Sequence, residues 1–285
     1  MNLPESDQPA STTNARVWRE LLVFGAVTFS ITWGVLALYL VDVAWATQTF
    51  GPMKLGAPMF YLAVSAPAIA AIVLTFNESG WSGLWGFIAS LARGSTAWPW
   101  IAISIFGYPL LWLFVALVTA VSQGKLDSLD LTPWSVTLPA ILIGGHLLKD
   151  VGALGEEPGW RGYALPRLLR LMSARAAAML LGFVWAVWHL PAFFLGSLSQ
   201  SGIDFVPYLL NVMAFSILMT LIYVRSNGNV LWAGIVPHMM FNAVPKAGIA
   251  PILWVTVAVG IAVLLICGPH MRRDVGKRSD EDVSK

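Results

Sequence analysis

The sequence predicts an all-α polytopic membrane protein, with about eight transmembrane helices around a polar intramembrane cavity. Three observations carry this. Mean hydropathy is +0.72, with 57% hydrophobic and only 11% charged residues, far from the roughly 25% charge of soluble domains. Apolar runs of about 20 residues recur along the chain, the length that a roughly 30 Å hydrocarbon layer demands of a helix. A small set of ionisable side chains falls within or beside those runs, where each Asp, Lys or Arg costs about 2.5–3.5 kcal/mol even on the lenient insertion scale. Charges kept against that cost mark a site facing a bundle interior.

The first fifteen or so residues are polar, with Glu5, Asp7, two prolines and a Ser-Thr-Thr-Asn run, the composition of a disordered tail. The apolar run after Arg16 and Arg19 is too long for the core of a cleavable signal peptide and reads as the first span, Trp18–Val41. Met59–Phe76 and Trp98–Val121 follow as the second and third. The fourth, Ser135–Gly155, is interrupted by His146, Lys149 and Asp150; the fifth and sixth are Ala174–Leu195 and Pro207–Val224. The seventh, Val230–Val244, is short and contains Pro237, and Ile249–Gly268 is the eighth. Trp18, Trp45, Trp98, Trp100 and Trp134 fall near predicted span ends, as an interfacial aromatic belt requires.

Basic residues set the expected orientation. Arg16, Arg19, Arg93, Arg161, Arg167, Arg170, Arg175, Arg225, Arg272, Arg273, Lys277 and Arg278 alternate with a side holding only Lys54, Lys125 and Lys246. The positive-inside rule places both termini in the cytoplasm, consistent with an even number of spans. A net charge of +2 with scattered basic residues gives no footprint for nucleic acid. The lone Cys267 excludes an intramolecular disulfide and a Cys-rich metal cluster and reads as a small core hydrophobe. His270 and the Asp280-Glu281-Asp282 stretch read as solvated. The segment Arg161–Arg175 is either a basic interfacial helix or an ordinary cytoplasmic loop.

Three polar clusters carry the chemistry. The first is Glu156-Glu157-Pro158-Gly159-Trp160-Arg161. Adjacent carboxylates on a helix point about 100° apart, so one can face a cavity while the other pairs with Arg161 or backbone donors. Glu157 and Arg161 share a face on a continuous helix, while Pro158 opposes the α conformation at Glu157 and marks a candidate break. A carboxylate in a poorly solvated cavity suits a general base near neutral pH, and Glu156 is assigned that role. The second cluster is Trp185-Ala186-Val187-Trp188-His189, the third His238-Met239-Met240-Phe241-Asn242, with His and Asn one turn apart on one face.

These are parts for amide hydrolysis: a Glu to deprotonate water, His groups to orient it or bind a metal, and an Asn amide to hold the oxyanion. The soluble His-Glu-x-x-His zinc signature is absent, but Glu156, His189 and His238 could supply a two-His, one-Glu set for a divalent metal such as zinc. Metal against no metal stays open at this level. Phe183, Trp185, Trp188, Phe193 and Phe194 form an aromatic set for either a binding groove or lipid-facing packing.

The order Glu-Glu-x-x-x-Arg, aromatic-x-x-x-His, His-x-x-x-Asn, each in or beside a hydrophobic span, resembles the CPBP family of intramembrane proteases, which contains type II CAAX prenyl endopeptidases and bacterial proteins linked to bacteriocin processing or self-immunity. Trp185 stands where that family more often has Phe, a change that reads as altered packing. The resemblance implies an eight-helix bundle in which Glu156 activates water, His189 helps position it, His238 and Asn242 form the oxyanion site, and Glu157, Arg161 and Trp185 support them. It also implies a membrane-associated protein or peptide substrate, lipidated or not, with no nucleic-acid partner. Domain organisation follows as a tail at 1–16, one transmembrane domain at 17–268 with a protease-like core at 135–245, and a soluble tail at 269–285. Two other classes compete: a non-catalytic scaffold or immunity protein, for which Glu156→Gln would be nearly silent, and a proton-coupled transporter, disfavoured by the lack of an internal repeat.

Overall fold

The computed structural model describes residues 10–94, 96–128, 151–243 and 261–266, and all regular structure among them is helical. Helix α1 is Ala10–Val41, beginning ahead of the expected Trp18. The next three are α2, Val43–Phe50, α3, Pro58–Val64, and α4, Ala66–Ser90. After α5, Trp98–Ser122, description resumes at α6, Val151–Glu157, which runs into a π-helical turn, Pro158–Ala164, and α7, Leu165–Leu171. Then come α8, Ala174–Trp188, α9, Phe205–Arg225, a second π-turn, Leu231–Ile235, and α10, Val236–Ala243.

Four of these segments are long and apolar enough to cross a membrane: Thr13–Val41, Trp98–Ser122, Ala174–Phe194 and Phe205–Arg225. A fifth is formed if α3 and α4, bent by 61° at Ser65, count as one broken span. The protein is an integral membrane protein. Most of the expected spans at 135–155 and 249–268, together with His146, Lys149, Asp150, Cys267 and His270, lies outside the described residues. On α5, Leu110, Phe114, Leu117 and Val121 recur at helical spacing and are all exposed, the outward stripe of a helix that meets lipid rather than water.

The core forms where α8 and α9, the most extensive helix pair among the described residues, pack against α1, α4 and the first π-turn. Phe24, Trp160, Tyr163, Trp185, Trp188, Phe215 and Met219 fill it. Lipid is as apolar as leucine, so burial alone does not drive these helices together; close packing and interhelical hydrogen bonds must contribute. Trp33 Nε1 donates to the Trp188 carbonyl at 3.0 Å, Trp188 Nε1 to Thr32 Oγ1 at 2.9 Å, and Thr32 Oγ1 to the Ala63 carbonyl at 2.7 Å. That relay ties α1, α3 and α8 together beside the end of α8. Ser104 Oγ on α5 likewise donates to the Trp232 carbonyl in the second π-turn.

Candidate active site

Pro158 does not break the chain's helical path. Glu157 keeps right-handed helical angles, φ −67° and ψ −33°, and the winding widens into the π-turn. Proline lacks the N–H that α6 would need next, and its ring presses on the preceding turn of an α-helix. A wider turn absorbs both effects, and such turns recur at functional sites. The turn is also pressed close to α4: a Cβ at Gly159 would fall 2.5 Å from Pro67 atoms, and one at Gly155 would fall 2.9 Å from Ser65 Cα. Gly155-x-x-x-Gly159 is thus a small-residue face of the kind that lets membrane helices touch backbone to backbone. It brackets the two glutamates.

Those glutamates have different surroundings, as the angular argument from sequence anticipates. Glu157 is fully buried, and its Oε1 accepts from Arg161 Nη1 at 2.9 Å and lies 2.7 Å from His238 Nδ1. The second π-turn reaches the same carboxylate from the opposite side, since a Cβ on Gly234 would lie 2.9 Å from Glu157 Oε2. A side chain there would crowd the Glu157 carboxylate. Glu156, buried at 4% exposure, instead accepts a hydrogen bond at its Oε2 from Trp185 Nε1, at 2.7 Å.

Trp185 is the centre on which the three clusters converge. The Arg161 guanidinium lies 4.3 Å from its ring centroid, the His238 ring meets it edge-on at 5.1 Å, and the His189 ring lies 6.1 Å away. The tryptophan does more than alter packing, because a phenylalanine has no N–H to offer Glu156. His189 caps α8 and places its Nδ1 2.9 Å from the Trp185 carbonyl. A carbonyl only accepts, so Nδ1 carries a proton and the neutral ring presents a lone pair at Nε2. Tyr208 packs its ring against His189 at 5.5 Å and interacts electrostatically with Glu156; it was not singled out from sequence, where a tyrosine in an apolar run reads as core.

Asn242 lies one turn on from His238. It shares the His238 face of α10 but is exposed, next to the end of the described segment. Among the described residues no three His, Cys, Asp or Glu side chains group closely enough to hold a metal ion, so the Glu156, His189 and His238 set does not close into a ligand cage. The aromatic set also divides. Trp185 and Trp188 are buried, Phe183 and Phe194 face outward, and Phe193 packs on Tyr208 and Phe205.

Comparison with known proteins bears on the same stretch. Residues 133–244 match the family described as Type II CAAX prenyl endopeptidase Rce1-like. The segment is similar to Rce1-like domains. A curated relative, CAAX prenyl protease 2 of Methanococcus maripaludis, is 29% identical over 98 residues, which cover 32% of this chain and 36% of that protein. The chain therefore spans about a third of the length of the curated relative it matches. Glu156, Glu157, Arg161, Trp185, His189, His238 and Asn242 all fall within the matched residues. The first three expected spans lie outside them.

Proposed function

We propose that this protein is an intramembrane endopeptidase that hydrolyses a peptide bond of a membrane-associated protein or peptide, using water activated by Glu156. The observation that carries the reading is the unlike treatment of two adjacent carboxylates. Glu157 Oε1 meets a guanidinium and an imidazole, whereas the hydrogen bond to Glu156 Oε2 comes from a neutral indole, a weaker donor that competes less with a proton than a charged one would. The similarity to Rce1-like domains supports the same reaction class.

In this mechanism Glu156 takes a proton from water as the water oxygen bonds to the scissile carbonyl carbon. The His189 Nε2 lone pair accepts the second water proton as a hydrogen bond and fixes the direction of attack. The carbonyl oxygen becomes an oxyanion, stabilised by the Asn242 side-chain N–H and by His238. With Nδ1–H of His238 directed at Glu157, a donor at Nε2 requires the imidazolium, whose charge then faces the Glu157 carboxylate. Glu156 returns its proton to the leaving nitrogen, the C–N bond breaks, and the products are an amine and a carboxylic acid that still carries the second water proton and then ionises. No step runs through a metal. Asn242, exposed in this state, completes the oxyanion site when substrate covers the end of α10. Both termini face the cytoplasm, and the substrate arrives laterally from lipid.

The test compares protein termini in membranes of cells expressing the wild type or Glu156→Gln at matched levels. New termini that depend on Glu156 establish proteolysis and identify substrates. Identical termini, with the protein's phenotype intact in the variant, would replace the protease reading with that of a non-catalytic scaffold or immunity protein.

A further inference from the structure

Trp185 is buried at 2% exposure and is committed on three sides. Its indole N–H donates to Glu156 Oε2 at 2.7 Å, its face carries the Arg161 guanidinium, and its ring meets His238 edge-on. Its place is set from both ends. The Trp185 carbonyl engages His189 Nδ1, and Phe215 of α9 packs against its ring with centroids 6.1 Å apart. Arg161 gives one N–H to Glu157 and lays its guanidinium over the indole ring.

We propose that Trp185 is the positioning residue of Glu156, its indole N–H holding Oε2 so that the carboxylate keeps one orientation toward the reacting water. A free glutamate side chain has three rotatable bonds, and a misplaced base loses rate without losing affinity for substrate. A neutral donor fixes the carboxylate without the neutralising charge that a guanidinium would bring. A phenylalanine at this position would fill the space but has no N–H to give Oε2. This inference rests on the reading of Glu156 as the base.

The experiment uses the full-length protein in detergent micelles and a fluorogenic peptide spanning a bond whose cleavage in membranes depends on Glu156. Trp185→3-benzothienylalanine keeps the shape of the ring and removes the N–H; Trp185→7-azatryptophan keeps both. The first should lower kcat by about 10- to 100-fold, the range of a hydrogen bond to a charged group, with KM within about twofold. The second should restore most of that loss. Independently of activity, the Trp185 indole ¹⁵N–¹H resonance, assigned by its absence in Trp185→Phe, should lie downfield and move upfield in Glu156→Gln. Equal kcat in wild type and the benzothienyl variant, equal loss in both analogues, or a resonance indifferent to Glu156→Gln would each overturn the proposal. If Glu156→Gln itself cleaves at the wild-type rate, the general-base reading fails, while the resonance still reports whether the bond exists.

Discussion

Two ionic clusters secure the segment from Glu157 to Arg167, and they differ in how far water reaches them. The inner cluster, Glu157 with Arg161 and His238, has every partner at 4% side-chain exposure or less. The outer one joins three elements through Arg167, whose Nε reaches Glu20 of α1 and whose Nη2 reaches Glu78 of α4, both at 3.0 Å, with side-chain exposures between 14% and 31%. Tyr163 donates to Glu78 at 2.7 Å and lies under the Arg167 guanidinium. The residue types are similar, but the consequences of disruption are not. In the inner cluster a lost partner leaves a charge with no solvent to receive it, whereas at the outer cluster water replaces much of what is lost. Burial, more than pairing, makes the inner cluster a determinant of the site's geometry.

Breaking the inner cluster should produce the largest effect. Arg161→Leu leaves the Glu157 carboxylate short of its main counter-charge and should lower stability by about 3–5 kcal/mol, measured by SDS-titrated unfolding in micelles. Pairing it with Glu157→Gln should recover part of that loss, since the two residues are coupled. Gly234→Ala comes next: its methyl would push into Glu157, and such overpacking costs about 1–3 kcal/mol and should also reduce turnover. Arg167→Met removes two partly exposed pairs worth about 0.2–1 kcal/mol each. Raising salt to about 0.5 M should shrink the gap between Arg167→Met and wild type and leave the Arg161→Leu gap in place, because screening reaches only the outer charges. Smallest of all, chelation with 1,10-phenanthroline should leave peptide cleavage unchanged; loss of activity restored by zinc would return Glu156, His189 and His238 to the role of metal ligands.

Much of the site was legible in the chain because charge in hydrocarbon is conspicuous. Glu156, Glu157, Arg161, His189 and His238 stand out against apolar surroundings, and the tertiary structure brings their elements together around Trp185. The importance of Trp185 was hidden. Its ring suits any apolar core, and only its distance to Glu156 reveals that the indole N–H has a partner. Gly234 and Tyr208 were hidden for a similar reason, since a glycine or tyrosine in an apolar run acquires meaning only from what lies across from it. The seventh expected span illustrates the opposite case. Its interior is divided into a π-turn and the short α10, and Gly234 of that turn lies against Glu157, a contact between segments far apart in sequence that local composition does not announce.

By itself, then, the sequence determined that the protein is helical, that it is embedded in a membrane, and which polar side chains interrupt its apolar runs. These are consequences of local composition and periodicity, which each segment carries whatever it packs against. Tertiary structure decided which carboxylate pairs with Arg161, that Pro158 widens a helix instead of ending it, and that an indole holds Glu156. The indole bond joins residues 29 apart along the chain, and the Glu157–Arg161 pair, only four residues apart, is buried by the elements packed over it; close packing rather than any single residue's preference sets both.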